Sequence, residues 1–250
     1  MKPLLLITGA SRGIGAATAT LAARHGWAVA LNYARDDAAA RALIERLRGG
    51  GAEAEAFRAD VADDAQVRAM FTAIDAHFGA SRLRGLVNNA GVVDVAARVD
   101  AMPVARVQRM FAINVFGSFW CAREALQRMS QVHGGAGGAI VNVSSAATRI
   151  GSPGQYVDYA SAKGAIDTFT LGLAREVAAE GVRVNAVRPG IIDTEIHASG
   201  GQPDRAARAA PQLPMQRAGS ADEVAQSIVW LLSDAASYVT GALLDVSGGR

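Results

Sequence analysis

The chain has 250 residues, half of them hydrophobic, with 27 Gly and 7 Pro, which is ample apolar material for one large core and argues against disorder. Its 25 Lys and Arg against 23 Asp and Glu leave a net charge of +2, and the arginines are scattered rather than gathered into the basic stripe that nucleic acid requires. A single cysteine, Cys121, excludes an intrachain disulfide and a multi-cysteine zinc site, and no apolar run reaches the roughly 18 residues of a membrane span.

The elements alternate along the chain. Residues 3–8 (PLLLIT) predict a strand, 13–25 a helix, 28–33 a strand and 36–48 a helix ended by the glycines at 49–51. Residues 54–59 predict a strand, 63–78 a helix and 83–88 a strand. A long helix covers about 104–132, and glycines at 134–138 break it before the buried strand 139–144. Residues 159–180 predict a helix ended by Gly181, 182–187 a strand, 221–233 a helix and 242–246 a last strand. This alternation calls for parallel strands, because parallel neighbours need crossover connections. The strands are continuous apolar runs, as expected when helices cover both faces. The expected fold is α/β, a doubly wound parallel sheet of about seven strands, in one domain over 1–250. The stretch 193–219, with Pro203, Pro211, Pro214 and Gly200–Gly201, predicts an irregular lid over the substrate. Arg12 interrupts the opening apolar run too early for a signal-peptide core, so a soluble, cytoplasmic protein is expected. Cys121, in an apolar helical stretch, reads as a buried small hydrophobe.

The first strand runs into TGASRGIG at 8–15 and then into a helix. Gly9, Gly13 and Gly15 let the backbone turn tightly and approach a ligand, and the helix aims free N–H groups and a positive dipole end at it. The spacing is G-x-x-x-G-x-G rather than G-x-G-x-x-G, but the strand-turn-helix context is the one a dinucleotide requires.

TGASRGIG, NNAG at 88–91, the pair Ser144–Ser145 at a strand end, Y-x-x-x-K at 159–163 and PG at 189–190 occur in that order. Together they closely resemble the short-chain dehydrogenase/reductase family over essentially the whole chain. The resemblance implies a nicotinamide cofactor held by Gly9, Ser11, Arg12, Gly13, Ile14 and Gly15 in the turn. It implies that Asp60 accepts from the adenine amino group beside Val61, and that Asn88, Ala90 and Gly91 line the adenosine ribose side. Lys163, Pro189, Gly190, Ile192 and Thr194 would hold the nicotinamide end. An acid ending the second strand commonly selects NAD, and Tyr33 stands there instead, with Arg35 two residues on. Arg12 and Arg35 suit a phosphate, which favours NADP(H) over NAD(H), although Asp36 and Asp37 would repel it if they turned inward.

Tyr159 and Lys163 are four residues apart and share one helix face. A free phenol titrates near 10, and a nearby ammonium favours the phenolate, so Tyr159 is the expected general acid/base. Tyr156 is the rival, but its i+4 partner is Ala160. Ser145 is expected to hold the substrate oxygen, with Ser144 facing into the structure. The resemblance makes Asn114 the residue that holds a water against the lysine. His25, His77, His133 and His197 show no metal-ligand spacing, and no metal is expected. The implied activity is hydride transfer between NADP(H) and a ketone or secondary alcohol, with 3-oxoacyl or other carbonyl reduction favoured. Sugar or polyol oxidation and a non-catalytic dinucleotide scaffold are the alternatives. Ile196, Ala198, Leu213 and Met215 would give the lid a partly apolar wall. Small-molecule substrate is the expected partner, without nucleic acid or membrane. A homotetramer is expected too, as in the family, with Phe111, Phe116, Phe119 and Trp120 supplying surplus apolar surface.

Overall fold

The computed structural model describes residues 1–250, the side chain of Ser81 excepted. Strands β1 (Leu4–Ile7), β2 (Ala28–Tyr33), β3 (Ala54–Arg58), β4 (Leu83–Asn88), β5 (Gly138–Val143), β6 (Val182–Pro189) and β7 (Leu243–Val246) form one sheet. Every pairing is parallel, in the order β3-β2-β1-β4-β5-β6-β7. Helices α1 (Gly13–Arg24), α2 (Asp37–Gly49) and α10 (Ala221–Leu232) cover one face, and α3 (Asp64–Phe78), α5 (Gly117–Met129) and α7 (Val157–Val177) the other.

Alternation along β1 shows why the sheet is buried twice over. Leu5 and Ile7 pack with α1, α2 and α10, whereas Leu4 and Leu6 pack with α3, α5 and α7. All four are fully buried, and each such side chain contributes about 2 kcal/mol. Cys121 lies in the second of these cores, where burial pushes its thiol up to about 12. Asp63 caps α3 by accepting from the N–H groups of Ala65 and Gln66. Ser220 and Glu223 cap α10 reciprocally.

Three elements depart from the sequence reading. The expected helix over 104–132 is α4 (Val104–Phe111), a π turn at Ala112–Phe116 and α5. Asn114 causes the interruption, because its Nδ2 donates to the carbonyls of Met110 at 3.0 Å and Val92 at 3.1 Å. Helix α7 begins at Val157 and ends at Val177, followed by a 3₁₀ turn to Glu180. The stretch 193–219 is irregular over much of its length but also holds two short helices, α8 (Ile196–Ser199) and α9 (Arg205–Ala209). A β-bridge between Ile192 and Gly219 ties its two ends. Beneath it Ile191, Ala206 and Leu213 form a small apolar cluster of their own. A further short helix, α6 (Ala147–Ile150), follows β5.

Candidate active site

The chain reverses direction across the sheet between β1 and β4, and ligands of open parallel sheets bind beyond the carboxyl ends of strands at such a point. Two connected chambers lie there, of about 520 Å³ and about 140 Å³. Ile14, Asn89, Gly91, Val93, Thr194 and Ile196 line both, so the two make one cleft.

The larger chamber is built on the β1–α1 turn. Gly9 has φ +61°, and a Cβ there would stand 2.8 Å from Ala90 Cα. A Cβ on Gly15 would stand 2.6 Å from Asn89 Nδ2 and 2.7 Å from Ala10 Cα. Only glycine admits this approach of two chain segments. Thr8 fastens them, its hydroxyl accepting from the N–H groups of Asn89 and Ala90, both at 3.0 Å. Asn32 accepts from Gly9 N–H at 3.2 Å and donates to the Ala59 carbonyl at 3.0 Å. Helix α1 has no capping side chain, so its first N–H groups remain as donors at a positive helix end. A glycine turn closed onto a neighbouring strand, a bare helix N-terminus and a long chamber are what a dinucleotide's diphosphate requires. The residues present therefore fit that group.

Of the expected cofactor residues, Gly9, Ser11, Arg12, Gly13, Ile14, Tyr33, Arg35, Asp60, Val61, Ala90, Gly91 and Thr194 line the larger chamber. Asp60 is exposed, and Asp63 rather than Asp60 caps α3. Pro189, Gly190, Ile192 and Lys163 line the smaller chamber. Two expectations need correction. Asn88 faces the sheet, where its Nδ2 donates to Asn142 Oδ1 at 2.9 Å and to the Ser118 carbonyl at 3.3 Å. Its neighbour Asn89 lines the cleft instead and donates to the carbonyls of Thr8 and Gly9. Gly15 lies behind the cleft and serves packing against Asn89 rather than a ligand.

The smaller chamber gathers Ser145, Tyr159 and Lys163. Ser145 stands with the Tyr159 phenol, which it pulls down, and accepts from Ala147 N–H at 3.1 Å. Ser144 is buried and donates to Asp167 Oδ1 at 2.6 Å, so it faces inward. Lys163 Nζ donates to the Val143 carbonyl at 2.7 Å and lies 5.7 Å from the centre of the Tyr159 ring. Asn114 is buried behind the chamber, and it borders Gly91 together with Lys163. A buried ion pair, Arg106 Nε to Asp158 Oδ2 at 2.8 Å, anchors the start of α7 next to Tyr159.

Burial pushes the Tyr159 phenol up, against the pull of Ser145 and the Arg205 charge. The lowering expected from Lys163 is therefore not produced by these side chains: the two groups that pull the phenol down are Ser145 and Arg205. Burial also pushes Lys163 down to about 8, while Asp167 opposes the fall. The phenol accordingly keeps its proton at neutral pH, the state a proton donor needs. The expected lid wall is likewise corrected. Ile196 lines the chamber, but Leu213 is buried in the cluster with Ile191 and Ala206, and Met215 is exposed. Ala198 does not line the chamber either, and His197 does.

A family model described as Enoyl-(Acyl carrier protein) reductase matches residues 9–250. The "Uncharacterized oxidoreductase YgfF" of Escherichia coli (strain K12) is 55% identical over 247 residues, covering 99% of each chain. A double mutant of a Serratia marcescens short-chain dehydrogenase/reductase superposes with TM-score 0.89 at 33% identity, over 99% of this chain and 97% of that one. The chain belongs to the short-chain dehydrogenase/reductase family. It is thus an oxidoreductase of a family that binds a nicotinamide dinucleotide and acts on small molecules. A blue fluorescent protein from a metagenomic library, whose structure is a complex with NADPH, matches equally well in fold, with TM-score 0.89 at 32% identity over 99% of this chain and 97% of that one. No helix among the described residues is long and apolar enough to cross a membrane.

Sequence reasoning missed Thr8, Asn32 and Asn89, which brace the family's glycine turn, and Asp167, which sets the charge around Lys163. It also missed Arg205 and Arg250 in the smaller chamber. Thr8 and Asn89 lie inside the quoted motifs, so the motif strings could have flagged them. Nothing local flags the two arginines.

Proposed function

We propose that this chain is an NADP(H)-dependent oxidoreductase that reduces a ketone, or oxidises the matching secondary alcohol, with Tyr159 as general acid/base. The observation that carries the reading is the continuity of the cleft: the glycine turn opens one end, and Tyr159, Ser145 and Lys163 stand at the other. A nicotinamide dinucleotide bound there supplies or accepts the hydride. Ser145 orients the carbonyl oxygen and Tyr159 gives it a proton as negative charge develops. Lys163 holds the cofactor's nicotinamide end, and Asn114 completes the route by which the phenol is reprotonated. A panel of ketones and of secondary and sugar alcohols, followed by NADPH or NADP⁺ absorbance with NADH and NAD⁺ run alongside, tests the reading. Absence of turnover on every member would contradict it.

The preference for NADP(H) is supported by Arg12 and Arg35, both exposed at the larger chamber. Both acids that follow Arg35 are engaged by other groups, with Asp36 lining the same chamber. Tyr33 donates to Asp37 Oδ1 at 2.5 Å and Arg41 pairs with Oδ2 at 2.8 Å. Asp36 caps α2, accepting from Ala39 N–H.

Lys163 gives the reading a pH signature. It is charged below about 8 and loses its proton above. The kcat/KM for the cofactor is expected to fall as pH rises through that value. Asp167→Asn removes the charge that holds Lys163 up, so the fall moves to lower pH. A pH profile flat through this range in both proteins contradicts the assignment.

The homotetramer is supported by Phe116 and Phe119, 49% and 42% exposed, and by Leu171 on α7. Phe119 stacks on Phe169 at 3.9 Å, joining α5 and α7 into one apolar face. Phe111 and Trp120 instead pack largely inward. Light scattering is expected to report a tetramer at working concentration, and a monomer contradicts it.

A further inference from the structure

The charged groups of the smaller chamber are unbalanced. Lys163, His197, Arg205 and Arg250 line it, and no Asp or Glu does. The larger chamber differs, since Asp36, Asp60, Asp94 and Glu195 stand there beside Arg12, Arg35 and Arg109. Lys163 shares the Asp167 charge with Arg188, and the His197 ring is bonded to the Ile192 carbonyl at 2.9 Å. Neighbouring arginines are also matched: Arg188 and Arg149 with Asp167 and Asp245, Arg217 with Glu223. Among the described residues, no ion pair forms at Arg205 or Arg250.

These two guanidiniums are placed rather than loose. Arg205 opens α9 and lies over the Tyr156 ring, 5.0 Å from its centre. Tyr156 is buried at the chamber wall, and its hydroxyl accepts from Gln202 Nε2 at 2.7 Å, which ties the lid segment to the start of α7. Arg250 reaches the same chamber from beyond β7, partly buried. Two like charges in a partly buried pocket that no acidic side chain lines repel each other, and an incoming anion relieves that repulsion. Neither lines the larger chamber, so the dinucleotide's phosphates are not their partner.

We propose that Arg205 and Arg250 form an oxyanion subsite, so that the physiological substrate is a carbonyl compound, or its alcohol, carrying a carboxylate or phosphate. Planar guanidinium forks suit either group. The anion anchors one end of the substrate while Ser145 and Tyr159 take its carbonyl oxygen. Arg205, which already pulls the Tyr159 phenol down, then becomes neutralised as substrate enters. This proposal rests on the oxidoreductase reading above for the identity of the reacting group, but not for the anion site itself.

The test compares matched pairs: levulinate with methyl levulinate, acetoacetate with methyl acetoacetate, and dihydroxyacetone phosphate with dihydroxyacetone. For each, kcat/KM with NADPH is measured in the parent protein, Arg205→Met, Arg205→Lys and Arg250→Gln. The parent is expected to prefer the charged member of at least one pair by about thirtyfold. Arg205→Met and Arg250→Gln bring that ratio towards one, and Arg205→Lys retains part of it. The favoured pair tells carboxylate from phosphate. In parallel, calorimetric titration of each anion into the protein with saturating NADP⁺ is expected to show binding that Arg205→Met weakens. If no carbonyl is reduced but an anion still binds through Arg205, the oxidoreductase reading fails and the subsite stands. If carbonyls are reduced with equal preference within every pair, or no anion binds in an Arg205-dependent way, the subsite is overturned.

Discussion

Tyr159→Phe is expected to lower carbonyl turnover by about a thousandfold while the protein still binds its dinucleotide. The substitution removes one oxygen from a chamber whose walls are otherwise intact, so the loss isolates proton transfer from folding and binding. Tyr159 is partly buried, kept protonated by that burial, and shares the chamber with Ser145. Tyr156, in the same chamber, has its hydroxyl taken by Gln202 and has no lysine one turn on. Without the phenol, the alkoxide formed by hydride transfer has water, a weak acid, as its remaining proton source. Steady-state kinetics measures the loss, and a fluorescence titration of the cofactor checks that binding survives. Full turnover in the variant would assign the proton donor elsewhere.

The second large effect concerns the choice of cofactor. In a double variant, Arg12→Ser with Arg35→Ser, the preference for NADPH over NADH is expected to drop by about a hundredfold. Each guanidinium facing a phosphate makes charge-assisted hydrogen bonds worth about 1.5–3 kcal/mol. Arg12 occupies the N-cap position of α1 with extended backbone and no capping bond, so its side chain is free to turn into the chamber. Arg35 stands just beyond the end of β2 and lines the same chamber as the glycine turn. NADH lacks the phosphate and so is expected to lose little. Dissociation constants for both dinucleotides, measured at one fixed ionic strength, give the ratio. An unchanged ratio, or a parent protein that binds NADH as tightly as NADPH, contradicts the assignment.

Much of this site is legible in the sequence because its parts are local. A buried parallel strand announces itself as an apolar run, and the turn after β1 carries its glycines within eight residues, Thr8 to Gly15. Tyr159 and Lys163 lie one helical turn apart, so a single helix fixes their relation. What stays hidden depends on partners distant in the chain. Asn88 and Asn89 are chemically identical neighbours, and only the pairing of Asn88 with Asn142 on β5 decides which one faces the cleft. Helix α9 sits in a stretch whose proline and glycine content argues against helix, yet burial of its Ala206 with Leu213 and Ile191 holds it. The phenol's environment is illegible for the same reason. Spacing brings Lys163 near Tyr159, but burial, set by the tertiary fold, raises the phenol, and the downward pull comes from Ser145 and Arg205.

The most direct measurement is isotopic. NADPH carrying deuterium on the nicotinamide carbon that gives up hydride is supplied with a ketone from the panel, and the alcohol is examined by NMR and mass spectrometry. A cleft that sets the nicotinamide against a carbonyl held by Ser145 and Tyr159 predicts deuterium on the new carbinol carbon, from one diastereotopic position of the cofactor only. Alcohol formed without the label, or with label drawn from both positions, contradicts that arrangement.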